Sequence, residues 1–222
     1  MNRVVVLGAG TAGTMVVNKL RPLLDEREWE ISIVDQNHDH HYQPGYLFIP
    51  FGIYQPSQVI KPKEKFIPKG VEFVQAGVEI VEPESNVVRL SDGTAIEYDY
   101  LVIATGTTPR PEETPGMMGT EWRESVFDFY TLEGATALAE KLRTWDEGRL
   151  VVHIAEMPIK CPVAPLEFAF LADSYFKDRR IRDQVDLTFV TPLDAAFTKP
   201  VAARQLGGML DERKIALEAD FY

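Results

Sequence analysis

Short apolar runs alternate with amphipathic stretches along most of this chain. RVVVLGAGTAGTMVVNKL opens with VVVL, a continuous apolar run of the kind a strand buried on both faces requires, and TMVVNKL continues as a helix. EISIVD follows as a second strand and ends on Asp35. VEFVQA, VEIVEP, NVVRLSDG and TAIEYDYLVIA read as further strands, with Ser91-Asp92-Gly93 marking a hairpin turn. TLEGATALAEKLRTWDEGRL carries Leu132, Leu138 and Leu142 near one helical face, and Gly148 lies just past its end. LVVHIAE, PLEFAFLADSYFKD and QVDLTFVTP then repeat the order strand, helix, strand. VAARQLGGMLDERKI reads as a helix interrupted at Gly207-Gly208, and IALEADFY enters another strand. Two such βαβ runs predict an α/β protein with parallel sheets. The expected architecture is a Rossmann-like dinucleotide fold over residues 1–115, then a second, incomplete dinucleotide-type fold over 116–222.

The first turn carries chemistry. Gly8, Gly10 and Gly13 form G-x-G-x-x-G between strand and helix. Gly8 permits the tight turn, Gly10 lets the backbone approach a pyrophosphate, and Gly13 lets the helix pack closely on the strand. Thr11 and Ala12 lie at the helix N-terminus, where free N–H groups face an anion. Asp35, about twenty residues past the motif, is placed to bind ribose hydroxyls, and Gln36 follows it. Thr105 and Gly106 close a later strand in a turn that a nucleotide can approach without obstruction. His38, His40 and His41 are loosely spaced with no cysteine near, so they read as hydrogen-bonded or ligand-lining loop residues rather than a metal site. Tyr42, Pro44, Tyr46 and Phe48 suit a flat ring system or plain core packing.

Charge and composition narrow the partners. The chain has 222 residues and a formal net charge of -11, a balance that repels phosphate backbones and argues against nucleic-acid binding. There is one cysteine, so no disulfide forms within these residues. The N-terminus runs straight into a strand, without a signal-peptide core or a membrane-length apolar run. The expectation is a cytoplasmic segment, soluble in itself.

The single cysteine stands in IAEMPIKCPVAPLE, the strand-to-helix turn of the second fold. A nucleotide-binding turn carries glycines there. This one carries Pro158, Lys160, Cys161, Pro162 and Pro165, whose rings fill the space and remove backbone donors. The second fold is therefore not expected to bind a nicotinamide dinucleotide in the usual way. A helix N-terminus and an adjacent lysine are the surroundings that make a cysteine nucleophilic, whereas a lone buried cysteine acts as a small hydrophobe. The position of Cys161 favours the first reading.

The glycine motif, Asp35 and DYLVIATGTTPR resemble the FAD-binding half of the two-dinucleotide-fold flavoprotein reductases. YQPGYLFIPFG and PIKCPVAP narrow this to a resemblance to sulfide:quinone oxidoreductases and the related flavocytochrome c sulfide dehydrogenases. The resemblance implies FAD on Gly8, Gly10, Thr11, Ala12, Gly13, Asp35, Gln36, Thr105 and Gly106, with the Val78 backbone near the adenine and Pro44 lining the flavin. It implies that Cys161 is one of two sulfur-handling cysteines, that sulfide is oxidised to sulfur or polysulfide, and that electrons pass through FAD to a quinone. It covers the front portion of the family fold. The partner cysteine, a third FAD contact, the quinone pocket and the membrane attachment belong to later residues of that family, and Tyr130 stands where some members have a further cysteine. The resemblance thus predicts a segment that holds FAD weakly, exposes apolar surface, self-associates, and in a longer protein attaches peripherally to the inner face of a membrane. An NAD(P)H-dependent flavoprotein reductase and a non-catalytic flavin-binding fragment remain the alternatives.

Overall fold

The structure, a computed structural model, describes residues 1–221. In chain order the elements are β1 (Asn2–Leu7), α1 (Thr11–Leu20), β2 (Trp29–Asp35), β3 (Asp39–His41), β4 (Ile60–Pro62), β5 (Glu72–Gln75), β6 (Val78–Glu82), β7 (Val87–Leu90), β8 (Ala95–Glu97) and β9 (Tyr100–Ile103). They continue with α2 (Leu132–Thr144), β10 (Gly148–His153), α3 (Ala164–Asp178), β11 (Val185–Val190), α4 (Pro200–Glu212) and β12 (Ala216–Glu218). This is the expected α/β class, with parallel sheets. Packing divides the chain into two units, Met1–Gln43 with Pro56–Thr108, and Pro44–Gln55 with Pro109–Tyr222. A single cut near residue 115 does not anticipate that division, because Pro44–Gln55 leaves the first unit and returns.

The first unit is built on a parallel sheet in the order β5-β2-β1-β9. Side chains alternate between its faces. Val4, Val6, Ile31 and Ile33 pack with Val17 of α1 on one side. Val5, Leu7 and Val34 pack on the other against Val88, Leu90 and Tyr98, which belong to the antiparallel sheet β6-β7-β8 or follow it. Both faces are therefore dry, which explains why VVVL is a run rather than an alternation. Each such aliphatic side chain contributes about 1.5–3 kcal/mol by leaving water. The hairpin expected at Ser91-Asp92-Gly93 forms, with Leu90 N–H donating to Thr94 C=O at 2.8 Å and Gly93 at φ 86°. His40 and His41, expected in a loop, lie on β3, which pairs antiparallel with β4. The partner strand is distant in sequence, so no local pattern announces it.

The second unit holds the parallel sheet β10-β11-β12. Its core joins Leu138 and Leu142 of α2, Phe168 and Phe176 of α3, Phe189 of β11 and Leu210 of α4. Leu47 joins the same core, and the Phe51 ring lies 5.0 Å from Phe168 and 5.7 Å from Tyr175. Burial of these rings on α3 is what draws Pro44–Gln55 into this unit. The interruption expected at Gly207-Gly208 does not occur, and α4 runs unbroken from Pro200 to Glu212. Interior glycines cost a helix about 1 kcal/mol each, a sum that buried Leu210 and the rest of the apolar face offset. One carboxylate is deeply buried: Asp173 of α3 receives Lys177 Nζ at 2.7 Å and Arg182 Nε at 2.7 Å. Arg182 also donates to the carbonyls of Val185, Arg213 and Lys214, tying α3 to the start of β11 and the end of α4.

Candidate functional site

The first unit carries an anion cradle at the end of β1. A Cβ on Gly8 would stand 2.4 Å from the Ala104 carbonyl oxygen and 2.9 Å from Thr105 Cα, and one on Gly13 would stand 1.8 Å from the Gly8 carbonyl oxygen. Both positions therefore exclude any side chain. Gly8 also sits at φ 96°. Gly10 and Gly106 are the opposite case: a Cβ on either would meet nothing within 4 Å. The two close-packed glycines shape the turn, and the two open ones face free space. α1 begins at Thr11 with no side-chain cap and no acidic residue in its first turn. Thr11 and Ala12 are exposed. The uncapped N–H groups and the positive end of the helix dipole suit a phosphate.

Asp35 closes the cradle from β2. Its Oδ2 accepts the Ala9 N–H at 2.8 Å and its Oδ1 accepts the Asn37 N–H at 2.9 Å. Lys63 Nζ lies 2.5 Å from the same Oδ1. Gln36 Oε1 would lie 3.7 Å from a Cβ on Gly77, so Val78 follows a backbone that passes close to Gln36. The structure thus brings Gly8, Gly13, Asp35 and Thr105 around one turn, with Gly10 and Gly106 next to it in the chain, and sets Gln36 near Gly77, the residue before Val78. These groups fit a dinucleotide: open glycines for the phosphates, an acid for the ribose and exposed backbone at Thr105-Gly106. Pro44 is exposed and belongs to the second unit.

The histidines serve the local structure. His38 lies 3.1 Å from Glu64 and 3.4 Å from Asp39, and the His40 ring packs tilted against Phe66 with centroids 4.7 Å apart. Among the described residues no three His, Cys, Asp or Glu side chains group closely enough to hold a metal ion. Among them, too, no helix is long and apolar enough to cross a membrane.

The second unit carries the cysteine turn between β10 and α3. Cys161 is exposed and sits at φ 54°, left-handed for a residue other than glycine. Holding such a residue there costs about 1–2 kcal/mol. Its carbonyl is clasped twice, by the Ala164 N–H at 3.1 Å and by the Tyr130 hydroxyl at 3.2 Å. Tyr130 is itself fixed. Asp128 Oδ1 accepts the N–H groups of Tyr130 and Thr131 at 2.9 and 2.7 Å, Arg123 lies 2.8 Å from Asp128 Oδ2, and the Thr131 hydroxyl caps α2 by accepting the Gly134 N–H at 3.0 Å. A Cβ on Gly134 would stand 2.2 Å from the Arg123 guanidinium, so only glycine leaves room for this cluster. The Tyr130 ring stacks on Phe129, which stacks on Phe168. Burial, then the neighbouring Cys161 and Glu167, push the Tyr130 hydroxyl well above its ordinary range. It therefore remains a protonated donor.

Sequence reasoning missed Lys63, which sits in KPKEKF and reads as one more solvated lysine. It also missed the Arg123–Asp128–Thr131 cluster, for which Gly134 inside a helix was the available signal.

A family model described as pyridine nucleotide-disulphide oxidoreductase matches residues 2–153. The mitochondrial sulfide:quinone oxidoreductase of Dictyostelium discoideum is 28% identical over 216 residues, which are 97% of this chain and 48% of that protein. The type II NADH:quinone oxidoreductase of Staphylococcus aureus is 34% identical over 119 residues, 53% of this chain and 28% of that protein. Among solved structures, the sulfide:quinone oxidoreductase of Aquifex aeolicus superposes with a TM-score of 0.84 at 25% identity, over 99% of this chain and 51% of that one. The chain spans about half the length of the sulfide:quinone relatives it matches.

Proposed function

The chain belongs to the pyridine nucleotide-disulphide oxidoreductase family, and from that premise we propose that it is the flavin-binding front of an enzyme that oxidises sulfide and delivers the electrons to a quinone. FAD is the cofactor of the first unit. Gly8, Gly10, Gly13 and the start of α1 would hold its pyrophosphate, Asp35 and Gln36 the adenosine ribose, Val78 the adenine edge, and Thr105-Gly106 the approach to the flavin. When bound, the flavin supplies a two-electron acceptor.

The observation that carries the sulfide reading is the turn at Cys161. Where a second dinucleotide needs open glycines, this turn places Pro158, Pro162 and Pro165 around an exposed cysteine. Prolines offer no N–H to a pyrophosphate. An exposed thiol three residues before the first residue of α3 is available for sulfur exchange. In the step assigned to it, Cys161 sulfur is bonded to a second sulfur. Sulfide attacks, a new S–S bond forms, the old one breaks, and the departing sulfur keeps the bonding electron pair. Sulfide is thereby oxidised to the persulfide level, and a bound flavin would be the acceptor for the two electrons destined for the quinone. Similarity to sulfide:quinone oxidoreductases over nearly the whole chain supports this assignment. Peripheral association with a membrane, where quinones reside, belongs to the same proposal.

The NADH:quinone relative is the specific ground for a second reading, an NADH-dependent reductase. One experiment separates them. The FAD-loaded protein is titrated anaerobically with sulfide and then with NADH, with Cys161→Ser in parallel. Bleaching of the flavin by sulfide alone, lost in the variant, is the expected result. Bleaching by NADH, or no response to sulfide with Cys161 intact, overturns the sulfide assignment.

A further inference from the structure

The nucleotide-reading acid is not free. Lys63 arrives directly after β4, and its ammonium lies 2.5 Å from Asp35 Oδ1 while also donating to the Asn37 carbonyl at 2.8 Å. Its side chain is only 5% exposed and that of Asp35 14%. The position is anchored by the backbone, since Lys63 N–H donates to the His38 carbonyl at 2.9 Å and Asp39 pairs with Pro62 across β3 and β4.

A carboxylate has roughly four acceptor positions, two on each oxygen. On Asp35, Oδ1 is filled by the Asn37 N–H and by Lys63. Oδ2 carries the Ala9 N–H, which leaves it one position. An adenosine ribose presents two adjacent hydroxyl donors, so a carboxylate with one open position takes one of them.

We propose that Lys63 is a specificity-determining residue of the nucleotide site: by occupying Oδ1 and neutralising Asp35, it restricts that acid to a single ribose hydroxyl. The inference rests on the nucleotide reading of the first unit. It makes ribose recognition lopsided. One hydroxyl is bound by a charge-assisted hydrogen bond, and the other carries no direct weight on Asp35.

The test is calorimetric binding of ADP, 2′-deoxy-ADP and 3′-deoxy-ADP to this chain. One deoxy analogue is expected to bind about tenfold more weakly than ADP, the worth of one charged hydrogen bond, and the other within about twofold. Lys63→Met opens Oδ1, so the second analogue should then weaken as well, by about fivefold. Lys63→Arg keeps a cation on Oδ1 and should keep the asymmetry. Equal penalties for both analogues in the unaltered protein overturn the role of Lys63 alone. So does an asymmetry that survives Lys63→Met. Should Lys63→Met not fold, the unaltered protein and Lys63→Arg still decide. Failure of all three nucleotides to bind overturns the nucleotide reading itself, and this inference with it.

Discussion

The Tyr130 hydroxyl donates to the Cys161 carbonyl at 3.2 Å, so a residue on the approach to α2 holds the backbone of the only thiol in its left-handed conformation. Tyr130→Phe keeps the ring stack and removes only this bond. Cys161 is then expected to relax towards ordinary backbone angles, and its rate of alkylation by iodoacetamide to change by about threefold or more, with overall stability falling by about 1 kcal/mol. An unchanged alkylation rate across neutral and alkaline pH would show that the bond does not govern the thiol.

The same hydroxyl predicts a pH dependence. Its folded pKa lies above the ordinary phenol value of about 10, chiefly because it is buried. The folded state therefore holds that proton more tightly than the unfolded state. Its contribution is fully present below about pH 10 and is lost as pH rises beyond it. Urea midpoints measured through the alkaline range should fall more steeply for the unaltered protein than for Tyr130→Phe.

Two glycines of one motif should fail differently when given a methyl group. Gly13→Ala forces a Cβ into the Gly8 carbonyl and is expected to destabilise the first unit by about 3 kcal/mol, whether or not ligand is present. Gly10→Ala meets open space at φ -78° and should leave the unfolding midpoint of the ligand-free protein nearly unchanged. In the proposed FAD site the same methyl would stand where the pyrophosphate approaches, so FAD affinity should fall by about tenfold or more. Denaturation without FAD and fluorescence titration with it separate the two effects.

Asp173→Asn should be costly although Asp173 has no part in the proposed chemistry. The substitution leaves Arg182 and Lys177 without their carboxylate at a position 1% exposed. Removing one partner of a buried pair costs about 3–5 kcal/mol. A loss below about 1 kcal/mol in urea unfolding would mean that the carbonyl bonds of Arg182 carry the junction without it.

Both parallel sheets were legible because burial on two faces writes apolar runs into the chain, as in VVVL and LTFV, and short loops keep strand and helix in order. The glycine turn was legible because steric exclusion at Gly8 and Gly13 admits one residue type. Lys63 was not legible, because its partner lies on a different strand and a buried lysine has the same letter as a solvated one. Pro44–Gln55 was read beside its sequence neighbours, yet Phe51 finds its ring partners on α3. The glycines of α4 signalled a break that packing of Leu210 prevents. In each case the deciding contact was made over a long stretch of chain.

β1 pairs with β2 on one side and with β9 on the other. Arg3 N–H donates at 2.6 Å to Asp99, a residue 96 positions later. During synthesis β1 therefore leaves the ribosome with one edge unclosed, and nothing on its own half of the unit can close it. Completion of this sheet at β9 waits for a loop of about a hundred residues to be made and gathered, and pairing of such high contact order is slow. In that interval VVVL is an exposed apolar strand. The interval, more than the finished fold, sets when this protein is open to aggregation.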